Sequence, residues 1–214
     1  QLRFECFEVD ADEEDDHPND PDPYGVAGWT EGDARILIYD RYDIWSFDPR
    51  GFLPAVNLTG GRVQQRIYRY AKLDPEQRSI PVAATITLSV FDELTKQSGY
   101  VQLSLKTLKR TDLIFGPAQY SGLMKARAAE QYLFTRETFR EFPDVWSTGL
   151  KFAAAQKITE ANPQWKNYRW GTAESVSWKA PDGRIVQGLL HKPDGFDVSK
   201  KYPMMVTFYE RNSD

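Results

Sequence analysis

Apolar and polar residues along this chain alternate in short bursts, not at helical spacing. Residues 34–39, 66–70, 84–90, 100–105 and 131–135 are runs rich in β-branched and aromatic side chains, set off by Gly, Pro, Asp and Ser. That pattern predicts strands, because side chains alternate across a pleated backbone and β-branched residues fit it. Residues 175–180 and 184–190 flank Pro181-Asp182-Gly183 and predict a hairpin, with Pro and Asp central in a type I turn and Gly183 as its left-handed closing residue. Residues 201–210, Lys-Tyr-Pro-Met-Met-Val-Thr-Phe-Tyr-Glu, read as a buried strand running out to a tyrosine. Segment 117–130 is ambiguous: Leu123, Met124, Ala126, Ala128 and Ala129 predict a short helix.

The pattern also repeats. Asp43-Ile44-Trp45-Ser46 followed by Asn57-Leu58-Thr59 returns as Asp144-Val145-Trp146-Ser147 followed by Lys157-Ile158-Thr159, about 100 residues later. Propeller blades are four-stranded units of roughly 40–50 residues, so this offset corresponds to two blades with a third between them. The expected architecture is mainly β: a partial β-propeller of about three blades over residues 25–163. It is preceded by the end of an earlier blade and an acidic loop (1–24), and followed by a crossing and further strands (164–214). A β-sandwich with a chance echo is the alternative.

Composition narrows the function. Aromatics make up 14% of the chain, with 13 prolines and 14 glycines, which favours strands and turns over a helical bundle. The net charge of −4 is uneven: eight acids and no Lys or Arg lie between Asp10 and Asp22, leaving the remainder at +4. This Pro-rich tract predicts a solvated loop and does not fit an EF-hand. With no basic stripe, nucleic acid is not an expected partner. No run reaches the ~18 apolar residues of a membrane span. Cys6 stands alone, and His17 and His191 are distant from each other, so no zinc spacing and no cofactor are expected. Asn57-Leu58-Thr59 is formally a glycosylation sequon but reads first as the turn and strand of a blade. Trp165, Tyr168 and Trp170 read as packed aromatics, with a carbohydrate platform as their rival.

The series Phe142-Pro143-Asp144-Val145-Trp146, Ile158-Thr159-Glu160-Ala161-Asn162-Pro163-Gln164, Trp170-Gly171-Thr172-Ala173-Glu174, Asp182-Gly183, Gln187-Gly188-Leu189-Leu190, Lys192-Pro193 and Lys201-Tyr202-Pro203 running to Tyr209 resembles the prolyl oligopeptidase family of serine peptidases. The resemblance is strongest to the branch similar to dipeptidyl peptidase IV. It covers roughly residues 25–214 and implies the end of a β-propeller joined to the first strands of an α/β-hydrolase domain. It further implies that Tyr209 donates its hydroxyl to the oxyanion of the tetrahedral intermediate. Glu210-Arg211 replaces the small residues that follow this tyrosine in some relatives.

No Gly-x-Ser-x-Gly nucleophile elbow occurs in the 214 residues, and the family's Ser, Asp and His would lie beyond Asp214. The expectation is therefore a catalytically silent segment of a serine-type peptidase. Its implied partners are short peptide substrates and the remainder of the same polypeptide; homo-oligomer formation stays open, and a periplasmic or secreted compartment is favoured over the cytoplasm. The rival from another class is a non-enzymatic propeller module that binds a protein or glycan.

Overall fold

The computed structural model describes residues 11–13, 15, 18 and 20–208, which divide into a first unit, Gln1–Pro163, and a second, Gln164–Asp214. The first unit holds three consecutive four-stranded antiparallel sheets, each an up-and-down meander in chain order. The first contains β1 (Val26–Trp29), β2 (Ile36–Tyr39), β3 (Ile44–Phe47) and β4 (Val56–Asn57). The second contains β5 (Arg66–Tyr70), β6 (Thr85–Asp92), β7 (Ser98–Ser104) and β8 (Arg110–Gly116). The third contains β9 (Gln119–Lys125), β10 (Gln131–Thr138), β11 (Glu141–Gly149) and β12 (Gln156–Lys157). Three such meanders in succession are a partial β-propeller.

The middle sheet is covered on both faces, which explains its near-continuous burial. Ile86, Leu88 and Val90 of β6 alternate onto one face and, with Val101 and Leu103 of β7, meet Leu37, Ile44 and Leu58 of the first sheet. Tyr100 turns to the other face and joins Tyr132, Phe134 and Phe152 of the third sheet. In that second core the rings of Phe134 and Phe152 stack at 5.8 Å, and Tyr132 tilts against Phe152 at 5.3 Å. Each sheet thus buries its apolar face only against a neighbouring sheet, as repeat architectures require.

Two sequence expectations fail. The short helix in segment 117–130 is instead β9, laddered to β10 from Gln119↔Glu137 to Lys125↔Tyr132. Its register shifts between Leu133 and Thr135, opposite Gly122, which sits at φ +61°. That irregularity upsets the two-residue alternation, so apolar Leu123 and Met124 became neighbours in a strand and mimicked helical spacing. The buried strand expected at 201–210 is absent from its described part. Residues 201–208 join no ladder, and Met204, Met205, Val206 and Phe208 are exposed, Phe208 to 89%. A strand exists only by pairing, and in the described part of the second unit the only ladder is β13 (Thr172–Lys179) with β14 (Ile185–Lys192).

That hairpin closes as its sequence demands. Gly183 adopts φ +91°, its N–H donates to Ala180 O at 2.9 Å, and Asp182 Oδ1 accepts from the Arg184 N–H at 3.0 Å. No described helix is long and apolar enough to cross a membrane.

Candidate functional site

In an antiparallel meander the start of the first strand, the turn between the second and third, and the end of the fourth lie at one end of the sheet. In all three sheets that end is built by the same device. Asp40 Oδ1 accepts the N–H groups of Tyr42 and Asp43 in the β2–β3 turn; Asp92 Oδ1 accepts those of Leu94 and Thr95 in the β6–β7 turn; Thr138 Oγ1 accepts those of Arg140 and Glu141 in the β10–β11 turn. Each is a polar side chain capping the backbone two and three residues ahead.

A second device ties the third strand to the segment leaving the sheet. Asp43 Oδ1 accepts from Thr59 Oγ1 at 2.6 Å and from the Gly61 N–H, while Thr59 Oγ1 accepts the Ile44 N–H at 3.0 Å. Asp144 Oδ1 likewise accepts from Thr159 Oγ1 at 2.7 Å and from the Ala161 N–H at 2.9 Å, while Thr159 Oγ1 accepts the Val145 N–H at 2.9 Å. The remaining carboxylate oxygen takes Asn57 Nδ2 at 3.0 Å in the first sheet and Lys157 Nζ at 2.5 Å in the third. The Asp and Thr of the repeat are therefore one hydrogen-bonded latch, present twice. In the middle sheet Ser98 takes the part, donating to Ala118 O at 2.9 Å and accepting the Tyr120 N–H at 3.0 Å.

Charge gathers at the same end of the first sheet. Arg62 pairs with Glu13 of the acidic tract and with Asp40 at 3.2 Å. Arg41 pairs with Glu93 at 3.1 Å, and both guanidiniums lie over the Tyr42 ring, at 5.0 and 5.1 Å. Burial and the hydrogen bond to Glu93 push the Tyr42 phenol up to about 12. Burial opposes the charge on Asp40, but the Asp43 N–H, the Trp45 indole, Arg62 and the Tyr42 N–H outweigh it and hold the carboxyl below its ordinary value. A low-pKa carboxylate and a high-pKa phenol are poor proton carriers at neutral pH. The cluster ties the Arg41–Asp43 and Glu93–Thr95 turns to each other and Glu13 to Arg62.

The residues singled out from sequence fall as follows. Tyr209, Cys6 and His17 lie outside the described residues. His191 is exposed on β14, opposite Ala173. The Asn57 carboxamide, besides donating to Asp43, accepts the N–H groups of Thr59 and Gly60 at 2.9 and 2.8 Å, so the sequon is built into the latch. Trp165 and Trp170 stack on each other at 3.9 Å, with the Trp170 indole donating to Trp165 O at 2.8 Å and Tyr168 edge-on to Trp170. The stack covers one face of each of the two indoles. Among the described residues no three His, Cys, Asp or Glu side chains converge as a metal site. The turn caps Asp40, Asp92 and Thr138 escaped the sequence reading, although Asp92-Glu93-Leu94-Thr95 carries a recognisable Asx-turn signal.

No protein-family model matches the chain, and no curated protein matches it. Solved structures do. A Bacteroides ovatus protein described as a dipeptidyl aminopeptidase IV superposes with a TM-score of 0.60 at 14% identity, over 83% of this chain and 27% of its own. The AtxE2 isopeptidase gives 0.55 at 13% identity, over 86% of this chain and 27% of its own. A post-proline cleaving enzyme from Rickettsia typhi gives 0.52 at 13% identity, over 84% and 27%. At these identities the likeness establishes the fold, which is the propeller fold that the sequence resemblance implies. The chain spans just over a quarter of the length of each of these proteins.

Proposed function

We propose that this chain is a segment of a prolyl-oligopeptidase-like serine peptidase, carrying the end of its propeller, the crossing, and the first strands of an α/β-hydrolase domain. The observation that carries this reading is the fold shared, through more than four-fifths of the chain, with proteins described as a dipeptidyl aminopeptidase IV, an isopeptidase and a post-proline cleaving enzyme. The ordered series from Phe142 to Tyr209 supports it independently.

In this reading the whole polypeptide hydrolyses short peptides by acyl transfer to a serine, with the Ser-Asp-His triad supplied by sequence after Asp214. The propeller screens the site from large substrates. Residues 201–208 become a strand when the rest of the sheet pairs with them, and Tyr209 at its exit offers a preorganised phenol to the developing oxyanion. The expected partners are short peptides and the remaining polypeptide, in a periplasmic or secreted setting.

The test is peptide hydrolysis by the full-length product and its Tyr209→Phe variant. Removing one oxyanion donor lowers kcat about 10²–10³-fold with KM little changed. Unchanged kcat removes Tyr209 from the site, and no hydrolysis of any short peptide by folded protein removes the reading.

A further inference from the structure

We propose that the Arg69 guanidinium and the Tyr39 hydroxyl, between the first and second sheets, form a binding site for a single carboxylate group. The site is independent of the peptidase reading and rests on donors that outnumber the acceptors around them.

Arg69 lies on β5, partly buried, with its guanidinium over the Tyr39 ring at 4.8 Å and the Tyr24 ring at 5.7 Å. It donates to Tyr68 O at 2.9 Å and to Arg41 O at 3.0 Å. A guanidinium carries more N–H groups than two such bonds use, and among the described residues no carboxylate pairs with it. Asp40 and Asp43 are near enough to act on its charge but hold other partners. Asp40 takes the Trp45 indole and Arg62, and Asp43 takes Thr59, Asn57 and the Gly61 N–H. The Tyr39 oxygen accepts the Tyr70 N–H at 3.0 Å, and among the described residues its own O–H has no acceptor. Burial holds the Tyr39 phenol above its ordinary value, so it keeps its proton at neutral pH, and burial also disfavours the Arg69 charge.

A partly buried cation with no anion in contact is costly, and an anion brought by a ligand relieves that cost. The donors select its shape, because a guanidinium fork matches the two oxygens of a carboxylate, and the Tyr39 O–H adds a further donor. The carboxylates of Asp40 and Asp43 disfavour a doubly charged anion such as phosphate at the same place. All of these residues lie in the first unit, and Tyr39 and Arg69 belong to two sheets that share one core.

Calorimetric titration of the full-length protein tests this with two probes. N-acetylglycine presents a main-chain carboxylate, and the α-amide of N-acetylglutamic acid presents a side-chain one. At least one should bind saturably, which names the source of the carboxylate, and its neutral amide should bind at least about tenfold more weakly. Arg69→Lys, which keeps the charge and loses the fork, should weaken binding about tenfold, and Tyr39→Phe about threefold. Failure of both acids to bind, equal binding of acid and amide, or unchanged binding by Arg69→Lys overturns the site. Unchanged binding by Tyr39→Phe removes the hydroxyl from it, and inorganic phosphate binding as tightly as the better acid overturns the carboxylate assignment. The acid–amide comparison in wild type decides if the variants do not fold.

Discussion

Asp43 and Thr59 are joined by a 2.6 Å hydrogen bond from Thr59 Oγ1 to the Asp43 carboxylate, across sixteen residues and with both side chains buried. The same carboxylate also receives the Gly61 N–H and Asn57 Nδ2, so a single acid organises the exit of a whole sheet. Thr59→Val keeps the shape and removes the hydroxyl, leaving the Ile44 N–H without its acceptor. The expected loss is about 1–3 kcal/mol, and for Asp43→Ala, which strands several buried donors at once, about 3 kcal/mol or more. Urea-unfolding midpoints followed by tryptophan fluorescence check both. Equal midpoints for wild type and Thr59→Val would show that the latch contributes nothing.

Asp144 gives the fold a defined acid limb. Burial disfavours its charge, but the Lys157 ammonium, the Ala161 N–H and the Thr159 hydroxyl prevail and bring its carboxyl down to about 2 from an ordinary 3.8. A folded-state pKa below the unfolded one means stability that is fully present above about pH 4 and is lost as pH falls toward 2. The urea midpoint should therefore hold steady from neutrality to about pH 5 and decline below 4. Asp144→Asn should shrink that decline, though Asp40 and Asp92, also held below their ordinary values, keep part of it. An identical decline in the variant would mean that Asp144 does not contribute.

Two glycines separate crowding from backbone strain. A Cβ on Gly99 of β7 would collide with Ile114 O and come within 2.8 Å of Phe115 Cα, both backbone atoms of the paired strand β8, so nothing flexible can give way. A Cβ on Gly60 meets nothing within 4 Å, but the residue sits at φ +61°. Gly99→Ala should cost more than about 2 kcal/mol, and Gly60→Ala about 1 kcal/mol. Thermal melts of the two variants check the order, and a reversed order would contradict the β7–β8 register.

The parts of the fold that repeat were readable in sequence because the repetition is chemical. Asp and Thr recur sixteen and fifteen residues apart because each latch needs a carboxylate near the third strand and a hydroxyl just beyond the fourth. The strands at residues 34–39, 66–70, 84–90, 100–105 and 131–135 were legible from alternation, as was the 181–183 turn from Pro-Asp-Gly. Strand β9 was not, because the irregularity opposite Gly122 scrambled its alternation. The Arg62–Glu13 and Arg41–Glu93 pairs join residues about fifty positions apart, and no local pattern announces them. The run at 201–208 has a strand's composition without a ladder, since composition can specify a strand's faces but cannot supply its neighbour.

The peptidase reading meets its most direct test in the reaction of the full-length product with a fluorophosphonate probe, which captures a serine only when base and oxyanion donors activate it. Labelling of folded protein at one serine beyond Asp214, abolished when that serine is replaced by alanine, is the expected result. A folded, full-length protein that stays unlabelled would contradict the account.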